Sequence, residues 1–142
     1  MRKLMTSAAA FLALGALVTP AAHASEIPVY DPGSTTGSKF VFVPSTAGGE
    51  GVSSGKFVEY TVSLDGTRTR VKDLADDGLD VHLWVQYGKT NEYTHKEMIA
   101  TASGLNATTF TAWYSPADMY VNFFAARVCV GPGEDRCSHW IG

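Results

Sequence analysis

The stretch Asp80, Val81, His82, Leu83, Trp84, Val85, Gln86 alternates with period two, so an acid, an imidazole, an indole and an amide share one side of an extended chain. Asp80 and His82, two apart on that side, form the one pair whose local geometry suits general acid-base work, which needs two groups held across a cleft with separated pKa values. A wet strand face accounts for the same residues. An indole among hydrogen-bonding side chains on such a face is how a sheet stacks on a sugar ring or grips a partner. Trp113 reads in the same way, because it falls with Thr109 and Thr111, opposite Phe110, Ala112 and Tyr114. The plainer reading is burial of either indole under a second sheet or a loop. On the functional reading the ligand-binding set is Trp84, His82, Asp80, Gln86 and Trp113. Tyr93, Tyr120 and Trp140 receive no assignment from local pattern.

Asp73, Asp76, Asp77 and Asp80 crowd a short acidic turn, and calcium takes six to eight hard oxygen ligands of this kind. The spacing is not that of an EF-hand, and Asp with Gly is also what a tight turn selects. Calcium is thus the only metal the sequence raises, and no cofactor is expected. His82, His95 and His139 lack zinc-ligand spacing; His95-Lys96-Glu97 has the H-x-E form of zinc deaminases without its P-C-x-x-C half. Gly51-Val52-Ser53-Ser54-Gly55 matches the G-x-S-x-G of serine hydrolases but sits in a Gly/Ser stretch followed by a strand, not on a strand-to-helix elbow. Asn106-Ala107-Thr108 is a glycosylation sequon.

These residues need a scaffold. The chain has 142 residues, 45% hydrophobic and 18% charged, the composition of one ordinary globular domain. Arg2 and Lys3, an apolar run over residues 4–18 and Ala22-His23-Ala24 make residues 1–24 a secretory signal, with cleavage after Ala24. The run is shorter than the roughly 20 residues a spanning helix needs, and no later segment is long enough. The remaining 118 residues carry 9 Lys+Arg against 14 Asp+Glu, a formal charge of −5. No basic stripe marks a nucleic-acid binder.

Cys129 and Cys137 are the only cysteines, and in an exported chain they are expected to form a disulfide across the Gly131-Pro132-Gly133 turn. Period-two runs at residues 39–43, 56–64, 68–74, 79–87, 108–114, 120–130 and 137–141, with residues 92–102 ambiguous, predict an antiparallel β-sandwich of six to eight short strands. Its expected core includes Val58, Tyr60, Val62, Leu79, Val81, Leu83, Val85, Phe124, Ala126 and Val128, with Arg127 facing outward. Residues 25–55 read as a loose arm, a first strand and a mobile loop over 45–55, ahead of the main body at 56–142.

A strand leading into Val71-Lys72-Asp73-Leu74-Ala75-Asp76-Asp77-Gly78, an alternating strand, and a closing Arg-Val-Cys-Val…Cys-Ser-x-Trp hairpin resemble the small secreted β-rich proteins that actinobacteria export. The resemblance covers most of residues 56–142. It implies a β fold and an extracellular location and assigns no functional residue. The expected function is a non-catalytic extracellular binding or structural module whose partner is a cell-wall glycan or an extracellular protein. The alternatives are a small secreted hydrolase, or a protease inhibitor presenting the 130–136 loop with Arg136 as its specificity residue.

Overall fold

The computed structural model describes residues 37–142; the expected signal peptide and the start of the expected N-terminal arm lie outside the described residues. The strands are β1 (Ser38–Phe42), β2 (Ser45–Thr46), β3 (Gly49–Val58), β4 (Thr61–Leu64), β5 (Arg70–Asp73), β6 (Val81–Lys89), β7 (Tyr93–Ala102), β8 (Thr108–Phe110), β9 (Trp113–Tyr114) and β10 (Phe123–Val130). They form two antiparallel sheets. One has the order β8-β5-β3-β4-β9, with β1 and β2 also paired to β3; the other has the order β10-β6-β7. The all-β antiparallel sandwich is therefore the fold, with Cys129 and Cys137 bridged in its C-terminal hairpin region.

The strict alternation of β6 sets the three-stranded sheet. Val81, Leu83, Val85 and Tyr87 are buried against the opposite sheet, while His82, Trp84 and Gln86 stay partly exposed on the outer side. The register aligns Ala126 with Val85 and Val128 with Leu83, and directly paired residues share a face, so Phe124, Ala126 and Val128 point inward as expected. Residues 92–102 resolve into β7, with Ile99 as the extra residue of a bulge between the Leu83–Ala100 and Trp84–Met98 pairs. The core divides into an aromatic end around Phe40, Phe42, Phe57, Trp113 and Phe124, and an aliphatic end around Val71, Leu83, Val128 and Val130. Leu79 is only half-buried beside the aliphatic end.

Two expectations fail in the larger sheet. The Gly/Ser stretch 45–55 is not a mobile loop; it forms β2 and most of β3, the strand to which β1, β2, β4 and β5 all pair. Its small residues answer the opposite sheet. A Cβ at Gly49 would lie 2.5 Å from Val81 Cγ1, and one at Gly51 would lie 2.6 Å from Val128 Cγ2. Residues 56–64 are likewise two strands and not one. Glu59 (φ 45°) and Tyr60 (φ 66°) occupy the left-handed region that a two-residue hairpin turn requires. The turn pairs Phe57 with Val62, which makes Phe57 the core residue and leaves Val58 and Tyr60 partly exposed. The Tyr60 ring instead stacks on Tyr120, with centroids 3.9 Å apart.

Candidate functional site

The outer face of the three-stranded sheet is ordered by its register. Trp84 in β6 is flanked by Arg127 in β10 and Met98 in β7; Gln86 is flanked by Ala125 and Lys96, and His82 by Cys129 and Thr101. Beyond β10 the C-terminal segment supplies a further edge. Ala126 and Ile141 exchange both backbone hydrogen bonds, at 2.8 and 2.9 Å, and Ser138 N–H donates to Val128 O at 2.8 Å. Between these anchors the Trp140 ring meets the Arg127 guanidinium at 4.4 Å from its centroid, with Lys96 Nζ at 5.9 Å. A cation over an indole face is attracted by the ring quadrupole.

Arg127 faces outward as the strand phase requires, yet it is 7% exposed. Its Nη2 donates to Glu134 Oε2 at 2.7 Å, while its buried Nε has no hydrogen-bond partner. The Arg127 hydrogen bond, the Arg127 charge and nearby Lys96 hold the Glu134 carboxyl below the usual glutamate range. Two indoles, an exposed thioether, an amide and an ammonium thus share the outer sheet face with a guanidinium covered by Trp140 and Glu134.

The disulfide positions this row. Cys129 and Cys137, with Cα atoms 4.0 Å apart, fasten the tail at one end and the Ile141 pairing fastens it at the other. Cys137→Ser is expected to lower stability by roughly 2–3 kcal/mol, the loop-entropy value for so short a loop, and to free Trp140 from Arg127. Chemical unfolding with acrylamide quenching checks both. A variant as stable as the parent, with quenching unchanged, contradicts the prediction.

The other residues singled out from the sequence do not all join this face. Trp113 is 8% exposed and lies in the core, as the plainer reading of burial has it, and does not join the ligand-binding set of the functional reading. The register pairs it with Leu64, a core residue of β4, so it must follow Leu64 inward and leave Tyr114 outside; Phe110, opposite Arg70 of β5, is exposed as well. Its Nε1–H donates to Glu97 Oε2 at 3.0 Å, and Tyr87 OH donates to the same oxygen at 3.5 Å. Burial, the Glu97 charge and that hydrogen bond raise the Tyr87 phenol above its ordinary value.

Asp80 is exposed ahead of β6. The Nδ1 of His82 lies 2.9 Å from Thr101 Oγ1, and no hydrogen bond joins it to Asp80 among the described residues. The acidic turn does not converge. Buried Asp73 accepts from Ala75 N–H at 3.0 Å and Gly104 N–H at 2.8 Å, whereas Asp77 accepts from Leu79 N–H at 3.1 Å and pairs with Arg136 at 3.4 Å. Asp76 is exposed, and no three His, Cys, Asp or Glu side chains among the described residues are grouped to hold a metal ion. Ser53 of the G-x-S-x-G match is fully buried within β3, its Oγ without a hydrogen-bond partner among the described residues.

No family model matches this chain, and no curated protein or solved structure gives a significant match. The site therefore rests on its own geometry. Arg127 was legible from strand phase alone. Trp140 was not, because its place depends on where the tail pairs; the signal that could have found it is the short spacing from Cys137.

Proposed function

We propose that the mature chain is a non-catalytic extracellular binding module whose three-stranded-sheet face takes sugar rings of a cell-wall glycan. The Trp84–Arg127 pair, with Trp140 stacked on the guanidinium, carries this reading. Indoles offer flat apolar area to the C–H faces of a pyranose at little conformational cost, while Gln86, His82 and Lys96 supply hydrogen bonds to its hydroxyls. Export is supported by Arg2, Lys3, the apolar run and the Ala22-His23-Ala24 site. The Cys129–Cys137 bridge is consistent with it, since such bonds persist in oxidising surroundings. The binding reading stands ahead of a hydrolase because Ser53 is sealed in β3 and, among the described residues, no hydrogen bond joins His82 to Asp80.

The test is a cell-wall pull-down and glycan array with the parent and Trp84→Ala. Loss of a central aromatic anchor is expected to weaken retention by about 2 kcal/mol or more, some thirtyfold. Equal retention of both proteins removes the site. Saturable turnover of an ester, peptide or glycoside by the purified chain replaces binding with catalysis.

A further inference from the structure

We propose a second binding site, for an acidic carbohydrate chain, on the outer face of the larger sheet. Successive registers place Lys39 opposite Lys56, Lys56 opposite Ser63, and Ser63 opposite Tyr114, a row crossing β1, β3, β4 and β9. The row lies in a groove of ≈ 560 Å³ that also takes in Asp65 and Arg68 of the turn after β4. That volume falls in the range of ligand sites, about 300–1,000 Å³.

The charges in this groove are arranged against the stability of the sheet. Like charges directly opposite on antiparallel strands repel, with Cβ atoms only about 4.5–5.5 Å apart. Lys39 and Lys56 are such a pair, and neither has a carboxylate within ion-pair distance among the described residues. The mature chain holds 14 Asp+Glu against 9 Lys+Arg, so unrelieved cations here are not forced by composition. The acid in the groove, Asp65, is already engaged: it accepts from Thr67 N–H at 2.8 Å and Thr67 Oγ1 at 2.7 Å, and lies 4.0 Å from Arg68 Nε. Two adjacent anionic groups would relieve the lysine pair.

Tyr114 identifies the rest of the ligand. It is 71% exposed at the far end of the row, a flat ring beside a hydroxyl-bearing serine. A ring that stacks a pyranose, next to cations spaced for neighbouring acidic groups, fits sugars bearing carboxylate or sulfate on successive units. Nucleic acid fits poorly, because three cations in a chain of net charge −5 make no extended phosphate track.

Calorimetric titration of the mature chain decides the matter, using an oligogalacturonate, a heparin-derived hexasaccharide, a neutral cello-oligosaccharide, oligo-dT and a poly-glutamate peptide as probes. One or both acidic sugars are expected to bind, weakening as salt rises from about 50 to about 500 mM; the tighter arm tells carboxylate from sulfate. Lys39→Gln and Lys56→Gln are each expected to cut that affinity about fivefold. Their thermal midpoints should be equal to or above the parent's, since the repulsion is gone. Trp84→Ala is expected to bind acidic sugars unchanged, which separates this groove from the face proposed above. With the Trp84 face disabled by Trp84→Ala, undiminished binding by the lysine variants, equal binding of the neutral sugar, oligo-dT or poly-glutamate, or no binding of either acidic sugar overturns the proposal.

Discussion

Trp113→Ala is expected to destabilise the domain by about 3–5 kcal/mol, the range for deleting a buried large aromatic. The indole is 8% exposed and touches two other core rings, with centroids 4.8 Å from Tyr87 and 5.8 Å from Phe124. Its removal opens a cavity in the middle of the aromatic end. It also takes one of two donors from Glu97 Oε2, leaving that carboxylate to Tyr87 alone. At about 4 °C per kcal/mol for a chain of this size, the midpoint falls by more than about 10 °C. Trp84→Ala, on the half-buried outer face, is expected to cost much less stability and most of the glycan retention. Guanidinium unfolding of both variants, beside the pull-down, checks the contrast. A Trp113→Ala protein within about 1 kcal/mol of the parent would place that indole outside the energetic core.

Gly55→Ala is expected to be as damaging despite adding a single methyl group. A Cβ there would lie 2.1 Å from Ser63 O and 2.9 Å from Leu64 Cδ2, and the first is backbone of the adjoining strand, which no rotamer change can move aside. Relief requires β3 and β4 to separate where Gly55 pairs with Leu64. Overpacking of this kind costs about 1–3 kcal/mol and more when backbone must yield, so about 3 kcal/mol is the expected loss. Gly133→Ala is the control, since a Cβ there meets nothing closer than 3.7 Å, and it should unfold with the parent. Coincident melting of Gly55→Ala and Gly133→Ala would refute the close approach of the two strands.

The parts of this fold legible in the sequence are those where a local rule has one solution. Residues 79–87 alternate core-type residues with Asp80, His82, Trp84 and Gln86, which decides the side that faces the core; Val81, Leu83 and Val85 are buried, while the partial exposure of His82, Trp84 and Gln86 depends on what covers the sheet. The inward phase of β10 follows from the charge on Arg127, and the Cys129–Cys137 bridge from two cysteines separated by a turn. Where local rules had two solutions, the sequence misled. Gly49, Gly51, Ser53, Ser54 and Gly55 have the composition of a loop; only the valines of the facing sheet make the smallness of Gly49 and Gly51 a requirement of the central strand, and only the backbone of β4 does so for Gly55. Glu59 and Tyr60 lack the Asn or Gly that announces a hairpin, so the break between β3 and β4 was hidden.

By itself, then, the sequence determined the fold class, the staple and the side of β6 that carries Trp84, because period two and cysteine chemistry act between near neighbours along the chain. The inward turn of Trp113, the seating of Trp140 on Arg127 and the alignment of Lys39 with Lys56 were decided by the tertiary structure alone. Each depends on which residue of a distant strand stands opposite, and that register is set by the packing of two whole sheets.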